Sequence, residues 1–462
     1  MFIGRNAELQ QLNNLYKQNK FQCVIIYGRR RVGKTTLINE FIKDKEAIYF
    51  TSIESTAKDN LENFSKSIAA LSNTNTDNAP IYKDFGSALE AVNNISLNRK
   101  LILVIDEYPY LARSYRPISS VLQELIDNKL KDNANLFIIL CGSSMSFMEK
   151  QVLGYQSPLY GRRTAQFHIK PFTFYEAAAY YKNFSPEDLA IAYGVTGGIP
   201  LYMSFIDDQL SIKDNIINTF LTASGYMYEE PFNLLNQELR EPALYNAIIR
   251  AVATGSSRIS EIASKACIEN ATATNYIEKL IELGIIEKET PAGAPSKSRK
   301  TIYSIKDGMF RFWYKFIPDN NVLIQRNMPE KAWDNIEPRI NEYMGKVFEN
   351  ICADYLVENY INLPIQFQQM GRWWGTNPKL KREEEIDIVA FNDRAAIICE
   401  CKWRNEQTDK HVLETLLERR KLLTWFENCY CYIFSKSGFS DACLKLASTN
   451  DKIKLISYKD ML

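Results

Sequence analysis

A chain of 462 residues is too long for one hydrophobic core, and its length argues for about three domains. Its composition, 46% hydrophobic and 24% charged, is that of a folded globular protein and excludes a disordered or fibrous one. Lys plus Arg (56) nearly balance Asp plus Glu (55), so no overall positive field draws the chain to nucleic acid, and any such contact must come from local patches.

No apolar run reaches the ~20 residues of a membrane span. The start, Met-Phe-Ile-Gly-Arg-Asn, lacks the segments of a signal peptide, so the chain is expected in the cytoplasm with no membrane partner. Nine cysteines are scattered singly, apart from Cys399/Cys401 and Cys429/Cys431. With only His168 and His411 to join them, buried reduced thiols are expected rather than a zinc site.

In chain order, Phe2-Ile3-Gly4-Arg5 leads into Glu8, Leu9, Leu12 and Leu15 at helical spacing. Residues 23–38 then run from β-formers through Gly28-Arg29-Arg30-Arg31-Val32-Gly33-Lys34-Thr35-Thr36 into a helix with Leu37, Ile38 and Phe41. This is the strand, G-x-x-x-x-G-K-[ST] loop and helix that wraps a nucleoside triphosphate. Gly28 and Gly33 permit the backbone angles that turn amide hydrogens inward, and the following helix presents its positive end to the same anion. Lys34 would reach the β- and γ-phosphates of ATP, and the Thr35 hydroxyl would hold magnesium.

Residues 47–51 read as a second strand, 61–71 as a helix and 73–80 as a polar loop. The apolar run 100–105 ends in Asp106-Glu107, a Walker B pattern whose acids emerge at the carboxyl edge of a parallel sheet. Asp106 would hold magnesium through water, and Glu107 would orient or deprotonate the attacking water. Another buried strand, 136–141, ends in Gly142-Ser143-Ser144. Behind Gly161, Arg162 and Arg163 could put a guanidinium on the γ-phosphate, in cis or from a neighbouring subunit, or could pair with acids of the fold. Gly-Val-Thr-Gly-Gly-Ile-Pro-Leu-Tyr at 194–202 breaks one helical region from the next.

Taken in order, the Phe-Ile-Gly-Arg start, both Walker motifs, Ser-Pro-Leu-Tyr-Gly-Arg and Gly-Gly-x-Pro resemble the archaeal and bacterial ATPases of the AAA+/STAND group over residues 1 to about 235. That resemblance implies that Gly4 and Arg5 line the adenine pocket. It also implies that Ser143, with Ser144 in reserve, senses the γ-phosphate, and that 171–238 form a helical lid over the core at 1–170.

Residues 239–308 read differently. Helical patterns at 243–254, 259–266 and 271–283 precede two short strands, which makes a winged helix-turn-helix. Its third helix offers Thr272, Thr274, Asn275 and Lys279, and its wing loop carries Lys297, Arg299 and Lys300, which suits DNA. Glu278, Glu282, Glu287 and Glu289 dilute that positive face, so a spacer or dimer surface is the alternative. An aromatic linker is expected at 309–337, its Phe310, Phe312, Trp313, Tyr314 and Phe316 packing into a core.

From 338 to 462, a helix at 343–359 carrying Glu349 precedes two strands joined by a turn at Asn392-Asp393. Asp387 near the start of one strand would meet Glu400 on the other, and Glu400 and Lys402 leave the same face. Two carboxylates holding a divalent cation, with a lysine on the water or the phosphate, are what metal-assisted phosphodiester hydrolysis asks for. The arrangement resembles the PD-(D/E)XK nuclease fold, with Ile386 where the family name has proline. The resemblance implies that Glu349 completes the acidic cluster and that magnesium or manganese binds there.

The expected fold class is therefore α/β: a P-loop NTPase parallel sheet with a helical lid, then a winged helix-turn-helix, then an α/β restriction-endonuclease-like domain. The expected function is magnesium-dependent ATP hydrolysis coupled to a DNA-binding or nuclease-like tail. The alternative is a signalling or scaffold ATPase whose tail binds a protein partner or a second copy of the chain and cleaves nothing.

Overall fold

The computed structural model describes residues 2–71, 80–295, 298 and 300–462. Lys297, Arg299 and the loop expected at 73–80, except Pro80, lie outside the described residues. The apolar runs of the N-terminal third form β1 (Gln22–Tyr27), β2 (Ala47–Thr51), β3 (Leu101–Asp106), β4 (Leu136–Gly142) and β5 (Ala165–His168). They make one sheet in the order β2-β3-β4-β1-β5, with every pairing parallel. β1, β3 and β4 are buried at every position, as expected for strands covered by helices on both faces. Because all run the same way, the segments following β1, β3 and β4 emerge at one edge, with that of β4 between the other two. Those segments carry the P-loop, the Walker B acids and Ser143.

The chain divides into two compact units, Met1–Phe172 with Ile199–Leu201, and Thr173–Gly198 with Tyr202–Leu462. The first holds the sheet just described. The second begins with the helices expected to form the lid, among them Pro186–Thr196 and Tyr226–Glu238. The winged helix-turn-helix follows: helices Pro242–Ala253, Ile259–Lys265 and Asn270–Glu282, then the antiparallel pair β6 (Ile286–Glu289) and β7 (Ile302–Ile305).

Beyond it, helices Gly308–Gln325 and Pro329–Glu358 lead to β8 (Gln369–Asn377), β9 (Arg382–Phe391), β10 (Ala395–Lys402), β11 (Asn428–Ser435) and β12 (Ile453–Ser457). This second sheet has the order β12-β11-β10-β9-β8; β8, β9 and β10 form an antiparallel meander, and β10, β11 and β12 run parallel. A helix, Lys410–Arg420, connects β10 to β11.

The aromatic stretch after the wing is a core element of the second unit. Phe310, Phe312 and Phe316 are fully buried, and Trp313 and Tyr314 nearly so. The Tyr343 hydroxyl donates to the carbonyls of Gly194 (2.7 Å) and Gly308 (3.1 Å), joining the long helix Pro329–Glu358 to the lid helix Pro186–Thr196. Asp354 on the same long helix accepts from the Phe174 amide at 2.8 Å, the first turn of another lid helix. Burial raises the Asp354 carboxyl above its ordinary value, and the Phe174 amide and the Tyr193 hydroxyl, which also donates to it, oppose the rise.

The close approach depends on glycine, since a Cβ on Gly308 would lie 2.3 Å from the Gly194 carbonyl oxygen. Backbone, not a flexible side chain, would have to move. Gly308→Ala is therefore expected to lower the stability of the second unit by roughly 1–3 kcal/mol, measured by urea unfolding followed by circular dichroism.

Among the described residues, no helix is long and apolar enough to cross a membrane. All nine cysteines are free thiols, and all but Cys267 are buried.

Candidate functional site

The ATP site is built where β1, β3 and β4 end. Gly28 can only be glycine, because a Cβ there would lie 2.3 Å from the Ile169 carbonyl oxygen. Gly33 has a φ of 87° and opens the helix Lys34–Ile42, whose N-terminus therefore faces the loop. Val32 is fully buried, Arg31 holds a φ of 73°, and Thr36 is exposed on the first turn. The Lys34 ammonium donates to the Gly28 and Arg29 carbonyls, both at 2.9 Å. Burial lowers its pKa, while Glu107 and Asp106 pull the other way.

The Thr35 hydroxyl lies 3.3 Å from Asp106 Oδ2, an oxygen that also accepts from the Tyr49 hydroxyl at 2.7 Å. Two hard oxygens side by side at the mouth of an amide cradle fit magnesium. Glu107 has a left-handed backbone (φ 51°, ψ 44°), unusual for a non-glycine residue. Its carboxylate meets the Ser143 hydroxyl at 3.0 and 2.9 Å. Gly142 makes this possible, because a Cβ there would lie 2.8 Å from Pro109 in the helix Tyr108–Ser114 that follows Glu107. The site thus brings Lys34, Thr35, Asp106, Glu107 and Ser143 together, while Ser144 precedes a short helix, Met145–Phe147.

The arginines divide by partner. Arg5, buried and with φ 57°, donates to the carbonyls of Val32 (3.4 Å) and Lys170 and lies over the Phe172 ring. It therefore braces the P-loop against the segment after β5, and Gly4 before it also has positive φ. Arg30 reaches the Tyr110 hydroxyl at 2.7 Å. Arg162 holds Asp127 by both of its oxygens, at 2.9 and 2.6 Å, and Arg163 turns to the Tyr160 ring and the Leu153 carbonyl. The Arg162 fork is thus engaged within the fold.

The turn between lid helices contributes to the P-loop's surroundings. Leu201 donates its amide to the Arg31 carbonyl at 3.4 Å, and Pro200 lies 3.7 Å from the position a Gly33 Cβ would take.

In the second unit, Asp387 and Glu400 face each other one step beyond the last register pair, Ile388 with Cys399. Asp387 accepts the Cys401 amide at 2.8 Å. Removal from water pushes its carboxyl up to about 7, with Glu400 and Glu349 adding to the rise and Lys402 opposing it. Glu400, by contrast, is ion-paired on both oxygens: Lys402 holds one at 2.6 Å and Arg419 the other at 2.8 Å. Arg419 also binds buried Glu384 at 3.0 Å, which Arg382 meets from the other side at 2.8 Å.

Glu349 is drawn to Lys346 at 3.0 Å, one turn away, with Arg372 at 3.9 Å. Among the described residues, no three Asp, Glu, His or Cys side chains gather to hold a metal ion. The three-acid cluster expected of Glu349, Asp387 and Glu400 is therefore not assembled, because protein cations occupy two of its members.

Tyr49, Arg372, Glu384 and Arg419 are site neighbours that the sequence did not single out. Apart from the Arg382 partner of Glu384, their partners lie well away in the chain, and no local motif marks them. On the winged helix, Asn275 is exposed, while Lys279 pairs with Glu282 at 2.9 Å.

Residues 2–205 match the model of an ATPase domain found predominantly in Archaea, and 313–413 match that of archaeal and bacterial proteins of unknown function. An uncharacterized protein of Methanocaldococcus jannaschii is 33% identical over 448 residues, covering 94% of this chain and 96% of its own. An uncharacterized ATP-binding protein of the same organism is 48% identical over 46 residues, 10% of this chain and 78% of its own. Among solved structures, the Walker-type ATPase of Pyrococcus abyssi aligns with a TM-score of 0.53 and 20% identity, over 68% of this chain and 96% of its own. With its P-loop and Walker B residues assembled at one sheet edge, the chain belongs to this predominantly archaeal ATPase family and is an ATP-hydrolysing enzyme.

Proposed function

We propose that the protein is a magnesium-dependent ATPase switch whose nucleotide state governs how its tail engages DNA. One observation carries the coupling. Ile199–Leu201 belong to the ATPase unit, while the chain on either side belongs to the unit that contains the winged helix and the second sheet. A change at Arg31 and Gly33 on binding the γ-phosphate thus has a covalent route into the tail.

When ATP binds, Lys34 exchanges the Gly28 and Arg29 carbonyls for phosphate oxygens. Thr35 and Asp106 would hold magnesium, which neutralises charge on the phosphates. Glu107 orients the attacking water and accepts its proton. Ser143, already bonded to that carboxylate, reports the γ-phosphate to it. The winged helix presents Asn275, with Thr272 and Thr274 beside it, as the DNA-facing surface.

The test is duplex-DNA affinity of the Glu107→Gln variant saturated with ATP against that of the wild type with ADP, by fluorescence anisotropy. A coupled switch predicts a difference of about 5–150-fold. Equal affinities would overturn the coupling, and absence of DNA binding in both states would favour a scaffold that engages protein partners or a second copy of the chain.

A second reading, cleavage of nucleic acid by the tail, is favoured by Asp387 and Glu400 facing each other with Lys402 alongside. Asp387 and Glu400 would then hold magnesium or manganese, supplying Lewis-acid polarisation of the phosphodiester. This requires the cation to displace Lys402 or Arg419 from Glu400.

A further inference from the structure

The wing of the winged helix is folded back onto the second sheet. Residues 291–294 form a turn closed by the Ala294 amide on the Pro291 carbonyl at 2.9 Å, with Gly293 supplying the positive φ (78°) that a type II turn wants at its third position. The Ala292 amide then donates to the Arg372 carbonyl on β8 at 2.7 Å. Arg372 in turn pairs with Glu289 on β6 and Glu385 on β9. The wing therefore does not stand free, and between it and the sheet edge lies an open cavity of about 750 Å³.

Its walls are aromatic: Trp373, Trp374, Phe391, Trp425 and Phe426, with Lys300 at the edge. Trp373 is core, but Trp425 is 49% exposed and Trp374 half-buried. A Cβ on Gly293 would lie 3.4 Å from the Trp425 indole nitrogen, so the wing backbone edges one side of that ring. Trp425 lies beside Phe426, with ring centroids 5.6 Å apart. Indole surface left in water beside a cavity of ligand size marks a binding site better than a core defect. Thr376, Ser298 and Asp393 also line the groove, offering donors and acceptors at the rim. The Lys300 ammonium lies 3.8 Å from where a Gly375 Cβ would be, so the cation reaches over bare backbone beside the aromatic walls.

We propose that this groove binds unpaired bases of a single-stranded nucleic acid, stacked on Trp425 and Trp374, with Lys300 on the adjoining phosphate. Flat aromatic faces, hydrogen-bonding edges and a cation at the mouth match the three parts of a nucleotide in a strand. A proline-rich peptide would also find aromatic walls, but it would leave the cation without a partner. The site lies apart from the Asn275 face of the winged helix. It rests on the nucleic-acid reading of the tail only for its class of ligand.

The experiment uses the full chain with a twelve-nucleotide deoxythymidine oligomer, following quenching of tryptophan fluorescence and anisotropy of the labelled strand. Quenching with salt-dependent affinity is expected. Trp425→Ala should weaken single-strand binding about five- to hundredfold, and Trp425→Phe, which keeps a stacking face, should lose much less. Affinity for a duplex, read by Asn275 and its neighbours, should be unchanged in both variants. Single-strand affinity equal in wild type and Trp425→Ala would overturn the proposal, as would an equal fall for single strand and duplex. Binding of a proline-rich peptide in place of the oligomer would overturn it as well. Unimpaired duplex binding in an Asn275→Ala variant that still binds the oligomer would fault the winged-helix reading and leave this groove standing.

Discussion

Replacing Glu107 by glutamine is expected to leave ATP bound and to slow hydrolysis by about 10²–10⁴-fold, the usual contribution of a positioned general base. The expectation rests on how much the fold spends to aim this side chain. A non-glycine residue with φ 51° and ψ 44° costs roughly 1–2 kcal/mol relative to ordinary helix or strand geometry. The return is a carboxylate held by the Ser143 hydroxyl at 3.0 and 2.9 Å, between the ends of β3 and β4. Glutamine keeps the shape and a hydrogen bond to Ser143 but cannot accept a proton from water. Lys34→Ala should behave differently, because it removes the cation that meets the phosphates and so should cost binding as well as turnover. Equilibrium binding of a fluorescent ATP analogue, set beside single-turnover phosphate release, separates the two variants. Unimpaired release by Glu107→Gln would assign water activation to another group.

The ATP site was legible because its residues sit at the ends of uninterrupted apolar runs. β1, β3 and β4 are buried at every position, so the polar residues just after them had to meet at one edge. Other features were less legible. The helix Ala57–Ala70 starts before the expected 61, because Thr56 and Asp59 form a capping box that the apolar pattern alone does not reveal. The long helix Pro329–Glu358 runs through Pro338, a residue that argues for a break, and the sequence pattern places its first turns in the linker expected at 309–337. β8 holds two glycines and a register shift between Gly371 and Trp373, so its strand character comes from pairing with β9 rather than from its own residues.

The charge partners were the least legible. Nothing local tells that Arg162 will hold Asp127, or that Arg419 will bridge Glu384 and Glu400. Such pairs are set by tertiary packing. They decide whether a motif residue remains available for chemistry.

Asp387→Asn is expected to stabilise the second unit more at pH 8 than at pH 5. In the folded chain this carboxyl keeps its proton up to about 7, whereas a carboxyl in water releases it near 3.8. Between those values the folded state holds one proton more than the unfolded state, so stability falls as pH rises through the interval and the loss is complete above about 7. Asparagine carries no such cost, so its advantage should grow by on the order of 2–3 kcal/mol between pH 5 and pH 8. Urea unfolding at the two pH values measures it.

The same variant separates the two readings of the tail. A divalent cation between Asp387 and Glu400 would favour the ionised carboxylate, so manganese at pH 8 would stabilise the wild type and leave Asp387→Asn unaffected. If neither responds, Lys402 and Arg419 are the counter-charges of Glu400, and the tail binds without cutting. Glu400→Ala is the poorer probe, because it strips Arg419 and Lys402 of a buried partner, and losing one member of a buried pair costs about 3–5 kcal/mol in its own right. Lost cleavage in that variant would report a damaged fold as readily as a missing ligand, whereas Glu400→Gln keeps an oxygen for one of the two cations and isolates the charge.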